Sequence, residues 1–486
     1  MRNGFACLLA LAAAGCGGSS PNQPAPPDMA PPPPPALLQA CTDAIADVYT
    51  LPANLPAFDA SHRGDVIRCG YDRYLSAADI NTAMTAYGYL GPTLPSGAWL
   101  FRIAYRTERI APAGSTTVPE GVSSAALFVP DVPQAGGPLV VFAHASVGIA
   151  PACAPSMYDL LGAPMGDDHR GAVLGLAAYG WTTIVPDYAG FGYGEAPGWS
   201  VAEDEAHSVL DSTRAAKQLV PSLTGKVAFV GHSQGGHAVL SAQSYRQSYG
   251  MEGDLIGIAA YAPLWLSAYA WAGIMSPIGM FNTTDSPYPV MYDLDYFYSH
   301  GEMYDGPGGG LAMIQPAKRD AVKSFLMNQC NPNSPPGVDI TTLGATPSDI
   351  FDPSFVSSVA DCGIGLGGCT DATAMIWTAR FSADRPPIDP NGPPILIYDG
   401  GMDTNFPPER AQCMYDKINA DLMGAASPTT TIASCFDPDA QHFDIMRRDV
   451  DYANSWIAAR AGLGPEPAPC TPFPSGQMCE TPPPNL

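Results

Sequence analysis

Basic side chains are scarce in this sequence. Lys and Arg number 22 against 46 Asp and Glu, so the formal net charge of the 486 residues is −24. A nucleic-acid partner is excluded, because binding to phosphates requires a basic surface. The same acidity disfavours adhesion to anionic membrane surfaces.

Long hydrophobic runs are also missing beyond the N-terminus, where no run approaches the roughly 20 residues that span a membrane. The N-terminus itself has Arg2, an apolar run over Phe5–Ala14, and small residues before Cys16. This pattern resembles a bacterial lipoprotein signal, so we expect residues 1–15 to be a signal peptide and Cys16 to be lipidated. Cleavage by an ordinary signal peptidase, without lipidation, is the alternative.

Zinc-site spacings are absent, since no C-x-x-C pair or His cluster occurs. We therefore expect neither metal nor cofactor. Apart from Cys7 and Cys16, ten of the 12 cysteines remain, an even number in a chain predicted to be exported, which indicates disulfides. Connectivity does not follow from sequence, but proximity favours the pairs Cys41–Cys69, Cys413–Cys435 and Cys470–Cys479. The four remaining cysteines are then expected to pair as Cys153–Cys330 and Cys362–Cys369.

Eight short runs rich in apolar and β-branched residues predict strands. They are Trp99–Arg106, Ala125–Val129, Leu139–Ala143, Thr182–Val185, Val227–Val230, Ile256–Tyr261, Ile395–Tyr398 and Thr429–Ser434. Several are almost continuously apolar, as parallel strands buried on both faces must be. Helical patterns at Ala172–Tyr179, at Ala202–Val220 and after Ser233 alternate with them. The alternation predicts an α/β fold with a mostly parallel, doubly wound, eight-stranded sheet.

The pattern of strands is interrupted after Tyr261 for some 130 residues, far beyond a normal connection. This stretch is dense in Tyr and Met, and we interpret residues 267–385 as an inserted cap or lid. A second independent domain is the alternative. The "GIGLGG" within it satisfies G-x-G-x-x-G, but no strand precedes it, which argues against a dinucleotide site.

The remaining boundaries follow from composition. We expect a Pro-rich tether at 16–40, an N-terminal extension at 41–98, the α/β domain at 99–266 and 386–464, and a Pro-rich tail at 465–486.

The stretch "KVAFVGHSQGGHAVLSAQS" (226–244) carries the chemistry. A predicted strand ends in Gly-His-Ser-Gln-Gly and a helical pattern follows. A turn this tight puts Ser233 at its apex and leaves no room for side chains at Gly231 and Gly235. The pattern is typical of the nucleophile elbow of α/β hydrolases. His232 and His237 flank the serine too closely to act as its base.

A serine nucleophile needs a base and a group that orients the base, and in this fold they follow in the order Ser, acid, His. Only His300 and His442 lie beyond the elbow helix, and His300 precedes any acid loop, which favours His442. The acid is expected in "YDGGMDTNFPP", where Asp403 is favoured over Asp399.

Backbone N–H groups should bind the oxyanion. One is expected from Gln234, the residue after the nucleophile. The other is expected from the loop "AHASVG" after the third predicted strand, with Ala145 and Ser146 as candidates. His144 is expected to brace this loop.

Five segments in order resemble the secretory lipase family of α/β hydrolases: "PLVVFAHASVGIAPACAPS", "GWTTIVPDYAGFG", "VGHSQGGHAVL", "DGGMDTNFPP" and "QHF". The similarity extends from about Trp99 to Ala459. It implies the triad Ser233, Asp403 and His442. This sequence departs from the family pattern at two places. "HASVG" replaces the family's "HGTTG" in the loop expected to supply the second oxyanion donor, and "NFP" replaces "VVP" after the expected acid.

Taken together, these features predict an exported, lipid-anchored serine esterase or lipase. Its partner would be a small ester or lipid substrate, membrane contact would occur only through the anchor, and we expect a monomer. A secreted serine peptidase of the same fold is one alternative. A surface binding protein with an inactive site is another.

Overall fold

A computed structural model describes residues 31–161, 170–265, 275, 287–330, 339–363 and 371–479. Residues 34–486 form one unit, distinct from residues 1–33. The predicted signal peptide, Cys16, most of the tether and residues 480–486 lie outside the described residues.

The described chain contains nine strands in a single sheet. The strands are β1 (Val66–Leu75), β2 (Ala98–Glu108), β3 (Glu120–Pro130), β4 (Leu139–Ala143), β5 (Thr182–Ala189), β6 (Lys226–His232), β7 (Asp254–Tyr261), β8 (Ile395–Gly400) and β9 (Ile432–Asp437). Their order across the sheet is β1-β2-β3-β5-β4-β6-β7-β8-β9. The three pairings from β1 to β5 are antiparallel and the other five are parallel. The predicted α/β fold with a mostly parallel sheet is confirmed.

The sheet has one strand more than predicted. β1 lies at its edge, and its residues include Arg68, Asp72 and Arg73. Charged side chains are common on edge strands, where they prevent pairing with other chains, so β1 lacks the apolar signature of the central strands. The last strand, β9, begins at Ile432 instead of the predicted Thr429.

Helices connect and cover the strands. They are α1 (Ile45–Val48), α2 (Ala77–Ala86), α3 (Arg170–Tyr179), α4 (Ala202–Leu219), α5 (Gln234–Tyr249), α6 (Pro287–Tyr304), α7 (Arg319–Asn328), α8 (Pro347–Ile350), α9 (Pro353–Gly363), α10 (Ala372–Ala383), α11 (Pro408–Met423) and α12 (Ile445–Ala461).

Alternate residues of the central strands contribute side chains to two hydrophobic cores, one on each face of the sheet. Val141 of β4 belongs to the core that includes residues of α4, α5 and α11, whereas Val140 and Phe142 belong to the core that includes residues of α2, α3 and α12. This is the doubly wound arrangement, with helices on both faces, that the apolar strands predict.

The segment between β7 and β8 (262–394) has its own aromatic core, built from α6, α7, α9 and α10. The ring of Phe297 lies 4.8 Å from that of Trp377 and 5.1 Å from that of Phe355. Tyr296 and Phe381 stack at 5.4 Å. Its role as a cap stays a prediction.

Two of the expected disulfides, Cys41–Cys69 and Cys153–Cys330, are present. The expected pairs Cys413–Cys435 and Cys470–Cys479 are wrong, because Cys413 bonds to Cys479 and Cys435 to Cys470. The pair Cys362–Cys369 involves Cys369, which lies outside the described residues.

The C-terminal tail explains this correction. Phe436 of β9 donates a backbone hydrogen bond to Thr471 at 2.8 Å, which brings Cys470 beside Cys435. Phe473 then packs against Tyr415 of α11 at 4.8 Å between ring centroids. The tail therefore crosses from β9 to α11, so spatial neighbours replace sequence neighbours as disulfide partners.

Within the described residues, no helix has both the length and the hydropathy to cross a membrane. In the same residues, no group of three or more His, Cys, Asp or Glu side chains is arranged to hold a metal ion.

Peptide mapping without reduction tests the tail connectivity. Because the Cα atoms of Cys413 and Cys479 lie 4.4 Å apart and those of Cys435 and Cys470 5.4 Å apart, within the range that a disulfide bridges, mass spectrometry should recover both linked peptides. A reduced sample, in which both linked peptides disappear, is the control. Recovery of a Cys413–Cys435 peptide instead would contradict the structure.

Candidate active site

Ser233 lies in the sharp turn between β6 and α5. Its backbone has φ 53° and ψ −118°, a conformation that L-residues rarely adopt. A Cβ on Gly231 would overlap the carbonyl group of Gly235, and a Cβ on Gly235 would overlap the carbonyl group of Ala143. The steric need for both glycines, expected from the sequence, is present. The helix begins at Gln234, directly after the serine.

Backbone hydrogen bonds hold this turn in place. The Ser233 N–H donates to the Tyr261 carbonyl at 2.9 Å, and the Ser233 carbonyl accepts from the N–H of Leu264 at 2.8 Å. Both partners lie at or just after the end of β7, so the adjacent parallel strand anchors the strained residue.

His442 reaches Ser233 from the loop after β9. Its Nε2 lies 3.0 Å from Ser233 Oγ, and its Nδ1 lies 2.8 Å from Asp403 Oδ2. All three side chains are buried. The structure therefore brings together the three residues that the sequence predicts as a triad, in hydrogen-bonding series. Asp437 and Asp439, which are also close to His442 in sequence, are not hydrogen-bonded to its ring.

Asp403 is held by its own loop. Its Oδ1 accepts hydrogen bonds from the N–H groups of Asn405 and Phe406, both at 2.8 Å. Burial alone would raise the pKa of this carboxyl, but His442 and the two N–H donors together lower the pKa below its usual value. Asp403 is therefore ionised at neutral pH.

Asp399, the alternative acid, points elsewhere. Its Oδ2 accepts a hydrogen bond of 2.6 Å from the hydroxyl of Tyr415 on α11. Burial raises its pKa to about 7; the Tyr415 hydrogen bond opposes this and the charge of Asp403 adds to it. Asp399 is thus not hydrogen-bonded to His442.

The predicted oxyanion residues surround the elbow. Gln234 is the first residue of α5, where backbone N–H groups have no intrahelical acceptor. The loop after β4 lies against the elbow, since the Ala143 and His144 carbonyl oxygens face Gly235. Ala145 is buried, and it is not among the described non-glycine residues with positive φ. Alanine can therefore stand at this position of "HASVG", where the family motif has glycine, without a left-handed backbone.

Side chains brace the same loop. The indole N–H of Trp199 donates to Ser146 Oγ at 3.2 Å. The Tyr188 hydroxyl donates to the His144 carbonyl at 3.0 Å, and His144 Nδ1 lies 2.6 Å from the Ala145 carbonyl oxygen. His144 therefore has the bracing position that was expected of it.

The remaining histidines near the elbow have structural partners. His232 Nε2 donates to the backbone carbonyl of His442 at 2.7 Å and so supports the loop that carries it. His300 lies in the 262–394 segment, with Nε2 2.7 Å from Asp384 Oδ2. Neither is placed to accept the Ser233 proton.

Sequence reasoning missed one residue, Glu205 of α4. Its carboxylate is buried and accepts a 2.7 Å hydrogen bond from Gln234 Nε2 and lies 2.9 Å from His237 Nδ1. It stands in the acidic run "AEDEA", which looks like a solvated helix face. The available signal was spacing: Glu205 shares a face with Val209 and Ala216, four and eleven residues on, both of which are apolar.

The secretory lipase family model matches residues 169–265, which include β6, the elbow and α5. The predicted resemblance is confirmed. No curated protein matches the chain significantly.

Solved structures share the architecture at low identity. Lipase A of Candida antarctica in its closed state is 17% identical with a TM-score of 0.59, over 89% of this chain and 90% of its own. The ligand-bound rice cell wall degrading esterase LipA of Xanthomonas oryzae is 18% identical with a TM-score of 0.54, over 82% and 97%. A Legionella pneumophila protein is 16% identical with a TM-score of 0.61, over 81% and 98%. These likenesses show the α/β-hydrolase fold.

The substitution Asp399→Asn should change the pH dependence of stability. The folded carboxyl has a pKa of about 7 and the unfolded one about 3.9, so the folded state holds a proton that the unfolded state releases. The wild-type free energy of unfolding should therefore fall, relative to the variant, as pH rises from about 4 to 7, by a few kcal/mol at about 1.4 per pKa unit. Urea unfolding of both proteins across this pH range measures the difference between their free energies of unfolding. A difference that does not change with pH would contradict the raised pKa of Asp399.

Proposed function

We propose that the chain is a serine carboxylic-ester hydrolase, a lipase or esterase that works through an acyl-enzyme on Ser233. The observation that carries the proposal is the hydrogen-bond series from Ser233 Oγ through His442 to Asp403, at 3.0 and 2.8 Å. Similarity to secretory lipases supports the same chemistry.

In this mechanism His442 Nε2 takes the proton of Ser233 as the hydroxyl attacks the ester carbonyl, and returns it to the leaving alkoxide. Asp403 accepts the Nδ1–H of His442, which leaves Nε2 free to act as the base and stabilises the imidazolium that forms. Its lowered pKa keeps it ionised for this role. Water activated by His442 then hydrolyses the acyl-enzyme.

The tetrahedral oxyanion would be bound by the backbone N–H of Gln234 and by the loop that contains Ala145 and Ser146. The end of α5 nearest Ser233 is its N-terminus, whose partial positive charge also favours a developing anion.

The surroundings of the triad support an apolar acyl group as substrate. Leu264, whose N–H bonds to the Ser233 carbonyl, packs in the core of the 262–394 segment together with Ile149 and Trp199. Phe406 packs against the same core, and its ring centroid lies 5.2 Å from that of His442. Apolar side chains thus extend from the nucleophile into α6, so we propose that residues 267–385 act as a cap that receives the acyl chain.

Export is part of the proposal. Disulfides persist in oxidising compartments, and the described chain contains four of them. The lipoprotein-like N-terminus supports anchoring at Cys16.

Ser233→Ala and His442→Ala should each lower kcat for nitrophenyl esters by about 10⁵-fold or more, and Asp403→Asn by about 10⁴-fold. The matched control is Ser241→Ala, eight residues further along the chain on α5. Ser241 is also buried, and its hydroxyl has no hydrogen-bond partner among the described residues, so its loss should leave activity unchanged and should not lower thermal stability. Equal turnover by Ser233→Ala and Ser241→Ala would refute the assignment.

A panel of acyl lengths and leaving groups separates the alternatives in the same assay. Turnover of esters that increases from acetyl to longer acyl chains supports a lipase or esterase with an apolar cap. Turnover of aminoacyl anilides without ester turnover would point to the peptidase alternative. The absence of turnover with every substrate would favour a binding protein.

A further inference from the structure

Glu205 is a buried acid that the proposed mechanism does not use. Charged side chains are almost never fully buried unless they are paired, yet Glu205 is 0% exposed. Its Oε1 accepts hydrogen bonds from the Ser200 N–H and from Gln234 Nε2, both at 2.7 Å. Its Oε2 lies 2.9 Å from His237 Nδ1. One carboxylate therefore collects three donors from two parts of the chain.

The partner of Glu205 on α5 is His237. His237 Nδ1 faces the carboxyl group, and Nε2 lies 2.7 Å from the backbone carbonyl oxygen of Asp384. A carbonyl oxygen only accepts hydrogen bonds, so Nε2 carries a hydrogen, and a second proton lies between Nδ1 and the Glu205 carboxyl. Burial raises the pKa of Glu205; burial would lower the pKa of His237, but the hydrogen bond and charge of Glu205 raise it above the usual value. Glu205 and His237 thus form a buried hydrogen-bonded pair between α4 and α5.

This hydrogen-bonded pair holds the first turn of the elbow helix. Gln234 and His237 occupy the first and fourth positions of α5, and the His237 N–H bonds to the Ser233 carbonyl at 3.1 Å. Because Glu205 binds both side chains, it sets the position of the backbone between them, including the Gln234 N–H that is the predicted oxyanion donor.

The same carboxylate also reaches the opposite wall of the site. Ser200, whose N–H donates a hydrogen bond to Glu205, has a left-handed backbone with φ 57°. The preceding residue, Trp199, donates its indole N–H to Ser146 Oγ, in the loop predicted to supply the second oxyanion donor. A short hydrogen-bonded path therefore joins Glu205 to both predicted halves of the oxyanion site.

We propose that Glu205 is a positioning residue that sets the distance between the Gln234 N–H and the Ser146 loop, and thereby the geometry of oxyanion binding. It touches no reacting atom. The inference rests on the proposed ester hydrolysis and adds to it a determinant of rate on a different helix. Errors of about 1 Å in such a site cost on the order of 10²-fold in rate.

Glu205→Met tests the proposal with an uncharged side chain of similar length. Methionine offers no strong hydrogen-bond acceptor, so the Ser200 N–H, the Gln234 amide and His237 all lose the partner they share. Since oxyanion contacts form in the transition state, kcat should fall by about 10-fold or more while KM changes by less than about twofold. Binding of an alkyl boronic acid, which forms a tetrahedral adduct on the nucleophile, should weaken by a similar factor.

Asp211→Asn is the matched control. Asp211 lies six residues further along α4, is also 0% exposed, and likewise accepts a hydrogen bond, at 2.6 Å, from the hydroxyl of Tyr249 on α5. It does not bind the first turn of α5. Its loss should lower thermal stability and leave kcat and boronate binding unchanged.

Gln234→Ala provides a second route that does not depend on the folding of Glu205→Met. It keeps the backbone donor and removes only the side chain that Glu205 holds, so it should reproduce the loss in kcat. The double variant should lose no more than the larger of the two single variants, because both remove one interaction.

The outcomes are distinguishable. Unchanged kcat in Gln234→Ala, multiplicative losses in the double variant, or an equal loss in Asp211→Asn would each overturn the positioning role while ester hydrolysis stands. A wild-type protein that neither hydrolyses esters nor binds the boronate would overturn the proposed function and this inference together.

Discussion

The close approach of the elbow backbone to β4 is the contact on which the site depends. Neither Gly231 nor Gly235 leaves room for a Cβ, because the carbonyl groups of Gly235 and Ala143 occupy that space. Without this approach, α5 could not begin directly after Ser233, and the loop after β4 could not lie beside Ser233. A steric requirement of two glycines therefore determines where the proposed oxyanion donors can be.

The second constraint is the pairing of two loops at the carboxyl edge of the sheet. The N–H groups of Gly401 and Met402, in the loop after β8, donate at 2.8 and 2.9 Å to the carbonyls of Asp437, the last residue of β9, and Ala440, in the loop after β9. The first loop carries Asp403 and the second carries His442. The hydrogen bond between Asp403 and His442 is therefore possible because β8 and β9 are adjacent parallel strands. The carboxyl edge of the sheet is also where α/β folds bind their ligands.

Features that depend on local sequence or chain order could be predicted, and those that depend on distant contacts could not. The elbow at Ser233 follows from a strand, two glycines and a helix, and His442 follows from the order of chain segments. The partner of Cys413 depends on how the tail crosses the sheet edge, which no local pattern encodes. The role of Glu205 could not be predicted, because the sequence does not distinguish a buried glutamate from a solvent-exposed one. Only the three-dimensional structure shows which groups donate hydrogen bonds to it.

Ser233 is the single nucleophile of the proposed mechanism, activated by His442 and Asp403. Labelling with a fluorophosphonate, followed by proteolysis and mass spectrometry, tests this most directly. Labelling should give one adduct per chain, on the peptide that contains Ser233. The rate of labelling should be strongly reduced in His442→Ala. Ester hydrolysis by a protein labelled on another residue, or on none, would contradict it.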